Sequence, residues 1–216
     1  MVESDNFYRE KLILIARKKM KRSDPSHDIN HVLRVLCISE KIAAEESADM
    51  EIIVPAAIFH DVICYPKNHR KRFDSQRESA IFAVKTLKKI KSYPIDKIKK
   101  VQEAIELCSF SKGQIPSFIE AKILQDADSL EAMGSISIMR TFSSAGIMNK
   151  IFYNSADPFC RNRKPDDKNY ALDLFFSRLL VVENRLHTKT AKTLAEKRMP
   201  ILKKFLESLD IELSDI

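Results

Sequence analysis

Three features of the sequence predict an all-α protein. Only three glycines, Gly113, Gly134 and Gly146, occur in 216 residues. Leu, Lys, Glu and Ala, which lie near the favourable end of the helix-propensity scale, recur throughout with Ile. Apolar residues return with a period near 3.6 rather than 2.

The opening segment carries Leu12, Ile15, Ala16 and Lys19 on one stripe, and the run around Pro25 breaks it. Val32, Val35, Leu36, Ile38, Ile42 and Ala43 keep helical spacing to about Glu46. Ile52 to Val62 is nearly all apolar, which predicts a buried helix; Pro66 to Arg72 is polar and basic, which predicts a loop. Ser75 to Ile90, Pro94 to Ser109, Ile119 to Met133 and Gly134 to Met148 read as four further helices. Ile151 to Asp167 holds Pro158 and Pro165 and is long enough to suggest a functional loop. Two last helices are expected over Lys168 to Leu186 and Thr188 to Leu209. No repeat, low-complexity tract or interdomain linker stands out, so a single domain is expected.

Composition also excludes functions. A dinucleotide-binding fingerprint needs three glycines within six positions, and a P-loop needs a glycine-rich turn before Lys-Ser/Thr; neither is present. Lys plus Arg total 37 against 30 Asp plus Glu, a formal charge of +7. That balance suits nucleic acid, nucleotides, phosphorylated metabolites or acidic lipid, and equally a set of solvated lysines. Cys37, Cys64, Cys108 and Cys160 are scattered, and no apolar leader follows Met1, which argues against a secreted disulfide framework. The longest apolar stretch, Ile52 to Phe59, is far short of the ~20 residues of a membrane helix. A soluble, cytoplasmic protein without a membrane partner is expected.

Chemistry concentrates in a few places. His27 and His31 are four apart and can share a helix face. His60-Asp61 ends an apolar helix, where a charged pair is costly unless paired or bound to a cation. Gln125-Asp126-Ala127-Asp128-Ser129-Leu130-Glu131 sets acids inside a core-like helix. Each alone has a plain structural reading: a hydrogen-bonded core histidine, a helix cap, an ion pair. In order they run His31, His60-Asp61, Asp128, and imidazole plus carboxylate donors suit a borderline divalent metal.

His31-x-x-Arg34-Val35, His60-Asp61 and Asp128 resemble the signature of the HD-domain metal-dependent phosphohydrolase superfamily. Phe59-His60-Asp61-Val62, Pro66-Lys67-Asn68, Ser75-x-x-x-Ser79-Ala80, Ser109-Phe110-Ser111 and the run Glu120 to Asp128 are similar to a bacterial subfamily of small, single-domain members. Arg140-Thr141-Phe142, Asp157-Pro158-Phe159 and Pro165-Asp166-Asp167-Lys168-x-Tyr170-Ala171-Leu172-Asp173 extend the likeness, so that it spans about residues 27–200. The resemblance implies one HD-type helical domain over residues 1–216, with core motifs at about 27–130 and a helical C-terminal extension. It implies one divalent ion (Mn, Fe, Co, Ni, Zn or Mg) held between helices by His31, His60, Asp61 and Asp128. It also implies hydrolysis of a phosphate ester or anhydride, with a phosphorylated small molecule, a nucleotide by preference, as partner.

Such a reaction needs cations against the charge that spreads over the phosphoryl oxygens. Lys67, just after His60-Asp61, is the first candidate, with Arg34 and Arg140 behind it; a solvated loop lysine is the other reading of Lys67. His27 either contacts phosphate or moves a proton, or serves structure alone. Asp126 either orients a ligand or caps its helix. His69 and His187 lie in polar surroundings and read as surface residues. Two positions depart from the subfamily: Cys108 stands where a histidine usually precedes Ser-Phe-Ser, and Leu174 where one usually follows Asp173. They open an alternative, a non-catalytic metal- and nucleotide-binding sensor. Cys108 lacks a local partner histidine, which speaks against a nucleophile. The lysines at 85, 88, 89, 91, 97, 99 and 100 could form a nucleic-acid footprint, but no binding motif accompanies them and a solvated face explains them.

Overall fold

The computed structural model describes residues 2–20, 27–65, 69–109 and 113–215. It is all-α: nine α-helices and no strand occur among these residues, beyond one isolated parallel bridge between Ile151 and Tyr170. The helices are α1 (Val2–Lys19), α2 (Ile29–Glu45), α3 (Met50–Phe59), α4 (Ser75–Leu87), α5 (Ile98–Leu107), α6 (Ile119–Leu130), α7 (Gly134–Ile147), α8 (Asp173–Ser177) and α9 (Lys189–Ser214). Two compact units result, Met1–Asp128 and Ser129–Ile216.

In the first unit α3 is central and packs on α1, α2, α4 and α5. Its residues Ile52, Ile53, Ala56, Ala57, Ile58 and Phe59 are at most 1 % exposed, as a helix that is apolar all round requires. Asp49 starts it by accepting a hydrogen bond from the Glu51 amide at 2.9 Å, and Lys97 at the head of α5 clamps both Asp49 and Glu51. Pro55 lies within this helix and removes the donor that would reach the Glu51 carbonyl four residues back. The Tyr93 hydroxyl supplies it instead, donating to that carbonyl at 2.6 Å. The terminal helical residue is Phe59 rather than Val62, so His60-Asp61 emerge at the very end of α3.

The second unit closes on four phenylalanines. Phe175 and Phe205 stack at 5.4 Å, and Phe142 meets Phe152, Phe175 and Phe205 at 5.6–6.2 Å. Gly134 opens α7 with φ +73, a left-handed backbone that favours glycine. The expected helix over Lys168 to Leu186 is a correction. The amides of Tyr170, Ala171 and Leu172 donate to Asp166, Ile151 and Phe152 carbonyls, so the chain turns until α8 begins at Asp173. Arg178 then leaves helical geometry (φ −139, ψ −54), and a 3-10 segment, Leu179–Arg185, follows.

Among the described residues no helix is long and apolar enough to cross a membrane. Of the clustered lysines, those at 85, 88, 89, 91, 99 and 100 are exposed, whereas Lys97 is taken up by Asp49 and Glu51.

Candidate metal centre

The start of α2 is set by Asp28, whose carboxylate accepts from the His31 amide at 2.9 Å. The cap fixes His31 in the first turn, where its side chain is fully buried. His60, at the end of α3, is 1 % exposed. Its Nδ1 lies 2.7 Å from the Ala57 carbonyl, which can only accept, so Nδ1 carries the proton and Nε2 keeps a lone pair. That Nε2 lies 3.2 Å from Nε2 of His31, with the rings edge to face at 5.2 Å.

Two carboxylates complete the set. Oδ2 of Asp61 lies 3.6 Å from His31 Nε2 and 3.8 Å from His60 Nε2. Oδ1 of Asp128, on α6, lies 3.6 and 4.0 Å from the same nitrogens. The structure therefore brings together His31, His60, Asp61 and Asp128, ninety-seven positions apart at the extremes (128 − 31 = 97). Donors bonded at about 2.1 Å to one tetrahedral ion would stand about 3.4 Å apart. The two imidazole nitrogens stand 3.2–4.0 Å from each other and from each carboxylate, close to that spacing. His31, His60 and Asp128 alone each offer an atom within 4.8 Å of the others. Burial would push the Asp61 carboxyl up, but the imidazoles of His60, His31 and His27 around it outweigh burial and hold the group below the usual carboxylate range.

The other candidates fall in different places. His27 sits half-buried with its ring edge-on to His31 at 5.6 Å. Arg34 is half-buried on α2, one turn beyond His31. Arg140, in the second unit, approaches Glu131, its Nη1 3.7 Å from a carboxylate only 2 % exposed. Lys67 lies outside the described residues. Asp126 is fully buried and, two residues from Asp128 on α6, projects about 200° away from it around the helix. His69 is exposed and stacks on Tyr65 at 4.7 Å; His187 is half-buried rather than on the surface. Cys108 is 3 % exposed, and burial, then the charges of Asp128 and Asp61, push its thiol well above the ordinary value. It is a neutral thiol at the edge of the site, consistent with the argument against a nucleophile.

The serines of α4 have a role that their spacing alone does not reveal. Ser79 Oγ accepts from the Ile63 amide at 3.0 Å and donates to the Ile63 carbonyl at 3.1 Å. Ser75 Oγ accepts from the Tyr65 amide at 3.2 Å, and the Tyr65 hydroxyl donates to Glu78 at 2.7 Å. Two hydroxyls one turn apart thus pin the backbone that leaves His60-Asp61. Gln125 does the same for α6, donating to the Leu107 carbonyl at 2.8 Å and so tying the Asp128 helix to the end of α5.

The HD domain family matches residues 28–133. The Lin1889 protein of Listeria innocua is 32 % identical, with 96 % of this chain and 98 % of that one covered at a TM-score of 0.71. Protein YpgQ of Bacillus subtilis is 29 % identical over 196 residues, 88 % of this chain and 86 % of its own. Its crystal structure in complex with ADP superimposes with a TM-score of 0.71 at 26 % identity, over 94 % of this chain and 97 % of that one. A predicted HD-superfamily hydrolase from an uncultured Thermotogales bacterium is 25 % identical, with 94 % and 91 % covered and a TM-score of 0.62. With the histidine–aspartate cluster lying inside the matched residues, the chain belongs to the HD-domain superfamily, an all-α fold built around a divalent-metal site.

Proposed function

We propose that this protein is a phosphohydrolase that uses one divalent ion to cleave a phosphate ester or anhydride of a nucleotide. The observation that carries the reading is the convergence of His31, His60, Asp61 and Asp128, with the His60 proton committed to Ala57 and its Nε2 lone pair facing the other donors. A nucleotide as substrate draws support from the ADP complex of YpgQ. The coverage of both chains by the structural relatives supports treating residues 1–216 as one HD-type domain.

These four residues would hold the ion. When bound, it would supply Lewis acidity and make hydroxide available from water near neutral pH. The chain's own contribution is positional. Asp61, kept ionised by its imidazole neighbours, balances the ion's charge. The Ala57 carbonyl fixes the ring of His60, and the Ser79 and Ser75 hydroxyls keep the following backbone still. Asp128, with a third of its side chain exposed, and the half-buried His27 form the side open to substrate, where His27 would meet the phosphate or pass a proton. Lys67 and Arg34 would supply positive charge. Arg140 is engaged by Glu131 within the second unit.

The test is a panel of nucleoside mono-, di- and triphosphates with each candidate ion, products being identified. Release of phosphate or pyrophosphate that stops on chelation and returns on adding metal is expected. Tight nucleotide binding without product under every ion would overturn hydrolysis and favour the sensor.

A further inference from the structure

Beside the first cluster lies a second set of donors with a different composition. One donor atom each from His27, Asp61 and Cys64 lies within 4.8 Å of the other two. His27 directly precedes the capping Asp28, while Asp61 and Cys64 share the turn that leaves α3. His27 and Cys64 are half-buried, whereas His31 and His60 are at most 1 % exposed, so the second set occupies the wetter side.

We propose that His27, Asp61 and Cys64 form a second divalent-cation site, selective for a borderline, thiophilic ion such as Zn²⁺ or Co²⁺. An imidazole, a carboxylate and a thiolate together select such ions over Mg²⁺ or Ca²⁺, which take oxygen ligands. Three protein donors leave positions open for water or a phosphate oxygen, the pattern of a reactive rather than a closed structural zinc site.

Cys64 is held for this purpose from both sides. Ile63 is fixed through its amide and carbonyl by Ser79, and Tyr65 through its amide by Ser75. The thiol therefore has little freedom beyond its own rotamer. Asp61 belongs to both donor sets and can serve each because a carboxylate has two oxygens. The proposal rests on the reading above only through that shared residue; His27 then meets phosphate through an ion rather than directly.

The experiment is titration of metal-free full-length protein with Co²⁺, read by bound metal per chain and by thiolate-to-cobalt charge-transfer absorption. Wild type is expected to bind two equivalents with that absorption. Cys64→Ser should bind one equivalent without it, and His60→Ala one equivalent with it. Cys108→Ser should behave as wild type. Wild type binding a single equivalent without sulfur absorption would overturn the second site and leave the first intact. Absorption that survives Cys64→Ser but disappears in Cys108→Ser would also overturn it, by assigning the thiolate elsewhere. No equivalent in wild type would overturn both sites.

Discussion

In the first unit the buried Asp61 faces two imidazole nitrogens at 3.6 and 3.8 Å, whereas in the second unit the buried Asp173 faces a guanidinium. Asp173 is fully covered, yet Arg163 meets both its oxygens, one at 2.7 Å, and the Asp166 amide donates at 2.6 Å. Tyr170 lies under the same guanidinium at 5.1 Å. Every demand of that carboxylate is met from within the chain. Around Asp61 the neighbours include His60 Nε2, a lone pair 3.2 Å from another imidazole nitrogen. Two buried carboxylates thus have opposite meanings: one pair is a structural clasp, the other a cluster of donors whose complement is a cation.

The sharpest way to separate them is to remove one member of each. His60→Ala should bring turnover to background while the chain still folds, checked by product release and circular dichroism. Asp173→Ala should do the reverse. Leaving Arg163 without its partner should cost about 3 kcal/mol in urea unfolding, with bound metal unchanged. Its pH dependence follows from sign. Burial would raise the Asp173 carboxyl, but Arg163 and the Asp166 amide together lower it below its ordinary value. The stabilisation is present above about pH 4 and is lost as pH falls through the folded-state value, so the wild-type advantage over Asp173→Ala should shrink in acid.

Smaller effects test how the site is held. Ser79→Ala frees Ile63 and should weaken metal affinity about tenfold, measured by competition with a chromophoric chelator. Tyr93→Phe leaves the Glu51 carbonyl opposite Pro55 without its donor and should cost about 1–2 kcal/mol of unfolding free energy. Ser39 Oγ is buried on α2 with no hydrogen-bond partner among the described residues, so Ser39→Ala should hold or raise stability, by about 1 kcal/mol at most.

The contrast also explains what the sequence made legible. His31, His60-Asp61 and Asp128 were readable because polar residues inside apolar helices stand out against their neighbours. Helical periodicity found α2 because its face is set by local spacing, and a nearly all-apolar run found α3. The break at residues 168–172 was not readable, since it depends on amides bonding back to Ile151 and Phe152, partners set by tertiary contact. The same holds for Asp173: nothing local in the sequence pairs it with Arg163 ten residues earlier across a turn. Tyr93 shows the point most simply, because the carbonyl it serves lies forty-two positions away.

Whether the inward-facing imidazoles hold an ion decides between a metal centre and a structural cluster. The direct measurement is divalent metal bound per chain in wild type and His60→Ala, purified and dialysed side by side. The substitution is expected to remove one full equivalent. Identical metal content in the two proteins would contradict the metal centre.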